Sequence, residues 1–270
     1  MAIDILEMWD FGKPEVSEQR FLAALSGASG DEAFILKTQI ARTYGLRGDF
    51  SRAQQILAEI EPQIHRAGAE AQVRYQLELG RTHASTTHPP ESQTAENLDL
   101  ARAAYTRAFD LARAAQLDYL AIDALHMMTV VDTAPEEQLG WNRRALELMQ
   151  SSTQPEAKKW EGSLHNNTGY ALKLLGRHEA ALQEFELALA ARARGGNPQL
   201  IRIAHWMIAW TLRALGRLEE ALAIQLRLEH ECDEAGEPDP YVFEELELLY
   251  QALKDSERAA HYAARRKASA

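Results

Sequence analysis

The sequence is short of everything that would make a catalytic or extracellular protein easy to recognise. It holds one cysteine, Cys232, so no internal disulfide and no multi-cysteine metal site can form, and this composition suits a reducing compartment. It has no basic excess: with 29 Lys and Arg against 40 Asp and Glu, the formal charge is -11. Non-specific attraction to nucleic acid or an anionic membrane surface needs the opposite balance, so neither is an expected partner. No window approaches the ~20 consecutive apolar residues of a membrane span. The start, Met1-Ala2-Ile3-Asp4, lacks the basic region, apolar run and cleavage site of a secretory signal. The expectation is a cytoplasmic protein.

Catalytic signatures are missing too. There is no phosphate-cradling Gly-rich loop, no His-Glu-x-x-His helix, no nucleophile elbow and no dinucleotide fingerprint. Gly195-Gly196 is not followed by the Lys-Ser or Lys-Thr a phosphate loop needs. The chain is expected not to be an enzyme and to need no cofactor.

What it does have is repetition. Leu164-His165-Asn166-Asn167-Thr168-Gly169-Tyr170-Ala171-Leu172 leads through Leu175-Gly176-Arg177 into Glu179-Ala180-Ala181-Leu182. Forty residues later, Ala204-His205-Trp206-Met207-Ile208-Ala209-Trp210-Thr211-Leu212 leads through Leu215-Gly216-Arg217 into Glu219-Glu220-Ala221-Leu222. Each copy reads as a helix with apolar residues at helical spacing, a Gly closing it in the left-handed conformation, and a second helix with acidic residues in its first turn. That is a helical hairpin. Gly169, Ala209, Ala181 and Ala221 are small because the facing helices must come close there.

The pattern of a small residue in the first helix, Gly176 in the turn, then Ala181 and Phe185 in the second helix, resembles the tetratricopeptide repeat. The second copy has Gln225 where Phe185 stands. The period of 39 to 40 exceeds the usual ~34 and, with Asn166-Asn167, resembles the long-repeat, kinesin-light-chain-like variety also found in bacterial regulators. The resemblance covers residues 31 to 268. It implies an all-α, right-handed solenoid of about six hairpins preceded by a helix, in one continuous domain spanning 1–270.

In chain order, residues 1–30 form an N-terminal segment and a helix from Ser17 through Leu25. Trp9, Asp10 and Phe11 are expected to cap the first hairpin; the alternative is a tail that occupies a groove. Hairpins follow at about 31 to 65, from 72, at 117 to 150, 158 to 194, 198 to 235 and 241 to 268. Pro62 is not expected to stop its helix at once. The second hairpin carries a polar insert, 85–97, expected to be a mobile surface loop.

His126, His165 and His205 recur at intervals of 39 and 40. Equivalent places on packed helices lie about 8–10 Å apart, whereas ligands of one ion sit within about 2 Å of it, so no metal site is expected. The more informative stripe pairs the residue after the small place with the one four before it: Thr38 and Arg42, Leu77 and Arg81, Met127 and Val131, Asn166 and Tyr170, Trp206 and Trp210, Glu244 and Leu248. Lys173 and Arg213 extend it by a turn. By resemblance this face lines the groove in which tetratricopeptide domains bind peptides.

The candidate peptide-binding residues are therefore Arg42, Arg81, Asn166, Asn167, Tyr170, Lys173, Trp206, Trp210 and Arg213. Cations and aromatics of this kind make interface hot spots, and the asparagines suit an extended backbone, so the expected partner is a peptide or protein with acidic and apolar residues. The alternative is that Tyr170, Trp206 and Trp210 pack on each other and close the face. A two-carboxylate clamp is absent, because its Lys and Asn set does not recur. The functional expectation is a protein-interaction module binding an extended peptide or partner helix. Rival readings are a sensor of a small molecule or signalling peptide, and a self-assembling scaffold or homodimer docking through its end faces.

Overall fold

The computed structural model describes residues 4–269. Met1-Ala2-Ile3, which carry most of the reading of the amino terminus, lie outside them. Among the described residues there are fourteen α-helices and no strand, and no helix is long and apolar enough to cross a membrane. The helices fall into two compact units, Met1–Trp160 and Glu161–Ala270.

The first unit begins with α1 (Pro14–Leu25), which starts three residues ahead of the expected Ser17. Pro14 is the reason: its fixed φ suits a first helical position, and its missing N–H is one a helix start leaves unpaired anyway. Ser17 instead ties down the preceding segment, its Oγ accepting from Asp10 N at 2.7 Å. Trp9 lies edge-on to Phe21 and donates through Nε1 to Gln39 Oε1 at 3.0 Å, so this segment packs on the first hairpin.

Three hairpins follow: α2 (Gly30–Leu46) with α3 (Phe50–Ile64), α4 (Ala69–His83) with α5 (Ala95–Ala114), and α6 (Asp118–Val131) with α7 (Pro135–Ser151). Pro62 lies inside α3 without ending it before Ile64. A single turn, α8 (Pro155–Lys158), closes the unit. One apolar cluster runs through Phe21, Leu36, Leu57 and Ile60, each no more than 1% exposed, and a second is built around Leu77 and Tyr105.

The polar insert between α4 and α5 is anchored at its middle. The His88 ring stacks on Phe50 with centroids 3.6 Å apart, and Thr87 Oγ1 donates to Gly45 O at 3.1 Å. A short 3₁₀ turn, Pro90–Ser92, leads to the Thr94 cap of α5.

The second unit has three hairpins: α9 (Glu161–Leu174) with α10 (His178–Gly195), α11 (Pro198–Ala214) with α12 (Leu218–Ala235), and α13 (Pro240–Ala252) with α14 (Ser256–Ala268). The first two repeat the sequence logic. Gly176 adopts φ +73° and Gly216 φ +75°, and Arg177 N then reaches back to Leu172 O at 2.9 Å. Gly169 must be small, since a Cβ there would lie 2.8 Å from the Phe185 ring. Gln225, in the place of Phe185, is fully buried with neither amide atom hydrogen-bonded.

All six hairpins expected from the repeat are present. Within each unit successive hairpins pack on one another, which is the arrangement of an α-solenoid.

Candidate functional site

On the first helices of the hairpins, the stripe residues meet different surroundings in the two units. In the first unit Arg42 on α2 and Arg81 on α4 approach Glu78 and Asp123. Arg81 Nη1 bonds Glu78 Oε1 at 2.6 Å, and its Nη2 bonds Asp123 Oδ1 on α6 at 2.5 Å. Arg42 Nη1 is 3.9 Å from the same Glu78 oxygen.

Both carboxylate side chains are at most 5% exposed. Burial opposes every charge in this group, yet the outcomes differ. For Asp123 the guanidiniums outweigh it and hold the carboxyl below its ordinary value; for Arg81 the carboxylates outweigh it and raise the pKa. For Arg42, burial and the neighbouring Arg81 prevail, and its pKa is lowered.

Arg42 is also covered from the amino-terminal side. Trp9 and Phe11 stack in parallel 4.7 Å apart, and the Arg42 guanidinium lies 5.4 and 5.3 Å from their centroids. Arg42 and Arg81 were expected as cations open to a ligand; the structure neutralises Arg81 twice and covers Arg42. What remains is a pocket of about 180 Å³ bounded by these four charges, the 85–87 hydroxyls, His126 and Trp160. Burial lowers the His126 pKa, with Asp123 opposing and the arginines adding to the shift.

In the second unit the stripe forms an aromatic ladder. Tyr170 on α9 stacks on Trp210 at 5.9 Å, Trp210 on Trp206 at 5.6 Å, and Trp206 meets Tyr241 of α13 edge-on at 6.5 Å. The rings do pack on one another, yet the face stays accessible: Tyr170 is 42% and Tyr241 67% exposed.

Lys173 Nζ sits 3.3 Å from the Trp210 centroid and forms no salt bridge among the described residues; burial and then Arg213 lower its pKa, with Glu245 opposing. Arg213 is held by a two-pronged pair to Glu245, 2.8 Å on each side. Asn166 Nδ2 lies 3.4 Å from Asn167 Oδ1, while Asn166 Oδ1 is buried without a hydrogen bond. His165 pairs with Glu184 of α10 at 2.6 Å, a local bond across its own hairpin. Among the described residues no three His, Cys, Asp or Glu side chains converge as metal ligands.

On α13 the turn at Lys254 stands 38 residues after that at Gly216, which puts the equivalent places at Glu244 and Leu248; the residues that meet the α11 stripe are Tyr241, against Trp206, and Glu245, against Arg213. Pro238 and Pro240 shorten α13 at its start, since the residues before them are steered away from helix and α13 starts only at Pro240. Signals for these two residues existed: an aromatic four places before a carboxylate, on a helix following two cationic stripes.

Residues 163–194 match the tetratricopeptide repeat. They comprise nearly all of α9 and α10, the hairpin with the most regular spacing. No curated protein matches the sequence.

Solved structures share the fold at low identity. The apo form of RapI is 14% identical with a TM-score of 0.71, over 98% of this chain and 73% of that one. A signal-transduction ATPase with a tetratricopeptide repeat sensor, from Pyrococcus horikoshii, is 12% identical with a TM-score of 0.71, over 95% of this chain and 40% of its own. A Rap protein complexed with competence and sporulation factor is 13% identical with a TM-score of 0.54, over 95% and 73%. At these identities the likeness shows a tetratricopeptide-type helical-repeat fold.

Proposed function

We propose that the chain is a non-catalytic protein-interaction module whose second unit binds an extended peptide segment along the first helices of its hairpins. The observation that carries this is the ladder Tyr170, Trp210, Trp206, Tyr241 with Lys173 lying on it unpaired. Four aromatic rings, two of them substantially exposed, offer apolar contact at low entropic cost, and a half-buried ammonium in no salt bridge among the described residues, with Glu245 already held by Arg213, favours an acidic group arriving with the ligand. Arg213 is already neutralised by Glu245 and shapes the face without selecting charge. The preferred segment carries an aromatic or branched apolar residue beside an Asp or Glu.

That one similar structure is a complex of a Rap protein with competence and sporulation factor supports a ligand-binding role for this kind of fold. The test is selection from a displayed random-peptide library on the intact chain and on Trp210→Ala and Lys173→Met variants. The intact chain should enrich acidic-apolar sequences, Trp210→Ala should lose them, and Lys173→Met should keep the apolar residue while relaxing the acid. Equal enrichment on all three proteins would overturn the proposal.

A further inference from the structure

A second concavity in the same unit opens between α11 and α13 and holds about 900 Å³. Its origin is legible in Glu237-Pro238-Asp239-Pro240. The turn at Gly216 recurs at Lys254, 38 residues on, and the same step carries Pro198, the first residue of α11, to position 236, but α13 begins at Pro240. The first turns of α11 thus lack part of the facing helix they would otherwise pack against. Two prolines fix the loop that forms the opposite wall, so the space is held open by covalent geometry and needs little ordering when filled.

The floor is apolar: Leu228 and Cys232 of α12 are 1% and 4% exposed. One wall presents Ile203 and Met207, and Ile203 is 42% exposed.

The mouth is chemically distinct. Its charged groups are Arg202, Glu237 and Asp239. Arg202 is neutralised by Glu237 at 3.1 Å. Asp239 Oδ1 accepts from Tyr241 N at 2.9 Å and caps α13, but Asp239 pairs with no cation among the described residues. Beside it the Trp206 and Tyr241 rings stand at 79°, with the indole fixed by its Nε1 donating to Tyr241 O at 3.2 Å. One carboxylate in no salt bridge, next to two aromatic rings, is an environment for a positive charge, and the acidic chain as a whole attracts the same sign. The volume falls in the range of small-molecule sites, about 300–1,000 Å³.

We propose that this cleft binds a small organic cation: an ammonium on an apolar chain or ring, with the body over Leu228, Ile203 and Met207 and the charge at Asp239 against Trp206 and Tyr241. The preference is opposite in sign to that of Lys173 on the ladder. The site stands whether or not peptides bind there.

The probes are hexylammonium, hexanol and hexanoate, matched in chain and differing in charge, measured by equilibrium dialysis against the full chain at physiological salt. Hexylammonium should bind at one site about tenfold more tightly than hexanol, with hexanoate weaker than both. Asp239→Asn keeps a helix-capping side chain and should bring hexylammonium to the level of hexanol. Ile203→Ser, on a half-exposed wall, should weaken hexylammonium and hexanol together. The proposal is overturned if hexylammonium fails to bind or binds no better than hexanol. Hexanoate binding as well as hexylammonium, or an Asp239→Asn protein that retains full affinity, overturns it too, the last placing the cation elsewhere on the acidic surface.

Discussion

The two units put cations on the same face of the same kind of helix, one turn further along in the second, and arrive at opposite sites. In the first, Arg42 and Arg81 are drawn into a buried network with Glu78 and Asp123. In the second, Lys173 rests on an indole and only Arg213 finds a carboxylate. The repeat fixes which positions look outward from the first helices; the neighbouring hairpin decides what they meet there. Where the neighbour supplies an acid, as Asp123 does to Arg81, the stripe becomes a structural tie. Where it supplies an aromatic ring, the stripe stays available to a ligand.

The largest effect should come from removing an acid on each side of that comparison. Asp123→Ala leaves the Arg81 guanidinium, whose side chain is 11% exposed, without its main partner, and should cost about 3–5 kcal/mol. Glu245→Ala also frees an arginine, but the Arg213 side chain is 26% exposed and can turn to water, so its cost should be about 1–2 kcal/mol. Urea unfolding with an unchanged slope reads both. Equal losses would mean that the two pairs are equivalent and the contrast is only geometric.

The binding counterpart runs the other way. Trp210→Ala should weaken a selected acidic-apolar peptide at least tenfold, or about 1.4 kcal/mol, because it removes the centre of the ladder and the ring under Lys173. Arg42→Met, at the equivalent stripe in the first unit, should leave that affinity unchanged. A calorimetric titration of one peptide against both variants decides which unit holds the ligand.

The hairpins were legible because close helix packing demands small residues and a left-handed turn, and both leave marks on a sequence at fixed spacing: Gly169 against Phe185, Gly176 at φ +73°. Most of the ladder was legible for the same reason, since Tyr170, Trp206, Trp210 and Lys173 follow from register alone. The partners were not. Glu78, three residues before Arg81, is readable from one helix, but Asp123 lies 42 residues away and is set by how the hairpins stack. The contacts of Tyr241 and Glu245 were not legible either, since both lie off the places that the repeat marks on α13. The cleft has no motif, being what the missing start of a helix leaves behind.

Buried polar groups without partners give the next test. Both amide atoms of Gln225 are unbonded in the second unit, where the equivalent Phe185 packs on Gly169. Gln225→Leu removes two unsatisfied groups at similar volume and should stabilise by about 1–2 kcal/mol. Thr168, equally buried but donating to Leu164 O at 2.8 Å, should show no such gain when changed to Val. A raised urea midpoint for the first variant alone fits the assignment.

The smallest effect is a pH dependence centred on the first unit. Burial lowers the His126 pKa below its ordinary 6.5, with Asp123 opposing and Arg81 and Arg42 reinforcing the shift. The folded chain therefore keeps this ring neutral where the unfolded chain takes up a proton. That difference adds stability above the unfolded value and loses it as pH falls below about 6.5. Between pH 7 and 5 the intact protein should lose stability, and His126→Gln should flatten the decline by up to about 1 kcal/mol. His205 in the second unit is also shifted down by burial and by Arg227, with Glu231 opposing, but it has no pair of arginines beside it. His205→Gln should flatten the decline less. If it flattens it more, the charge network around Arg42 and Arg81 does not distinguish the two units.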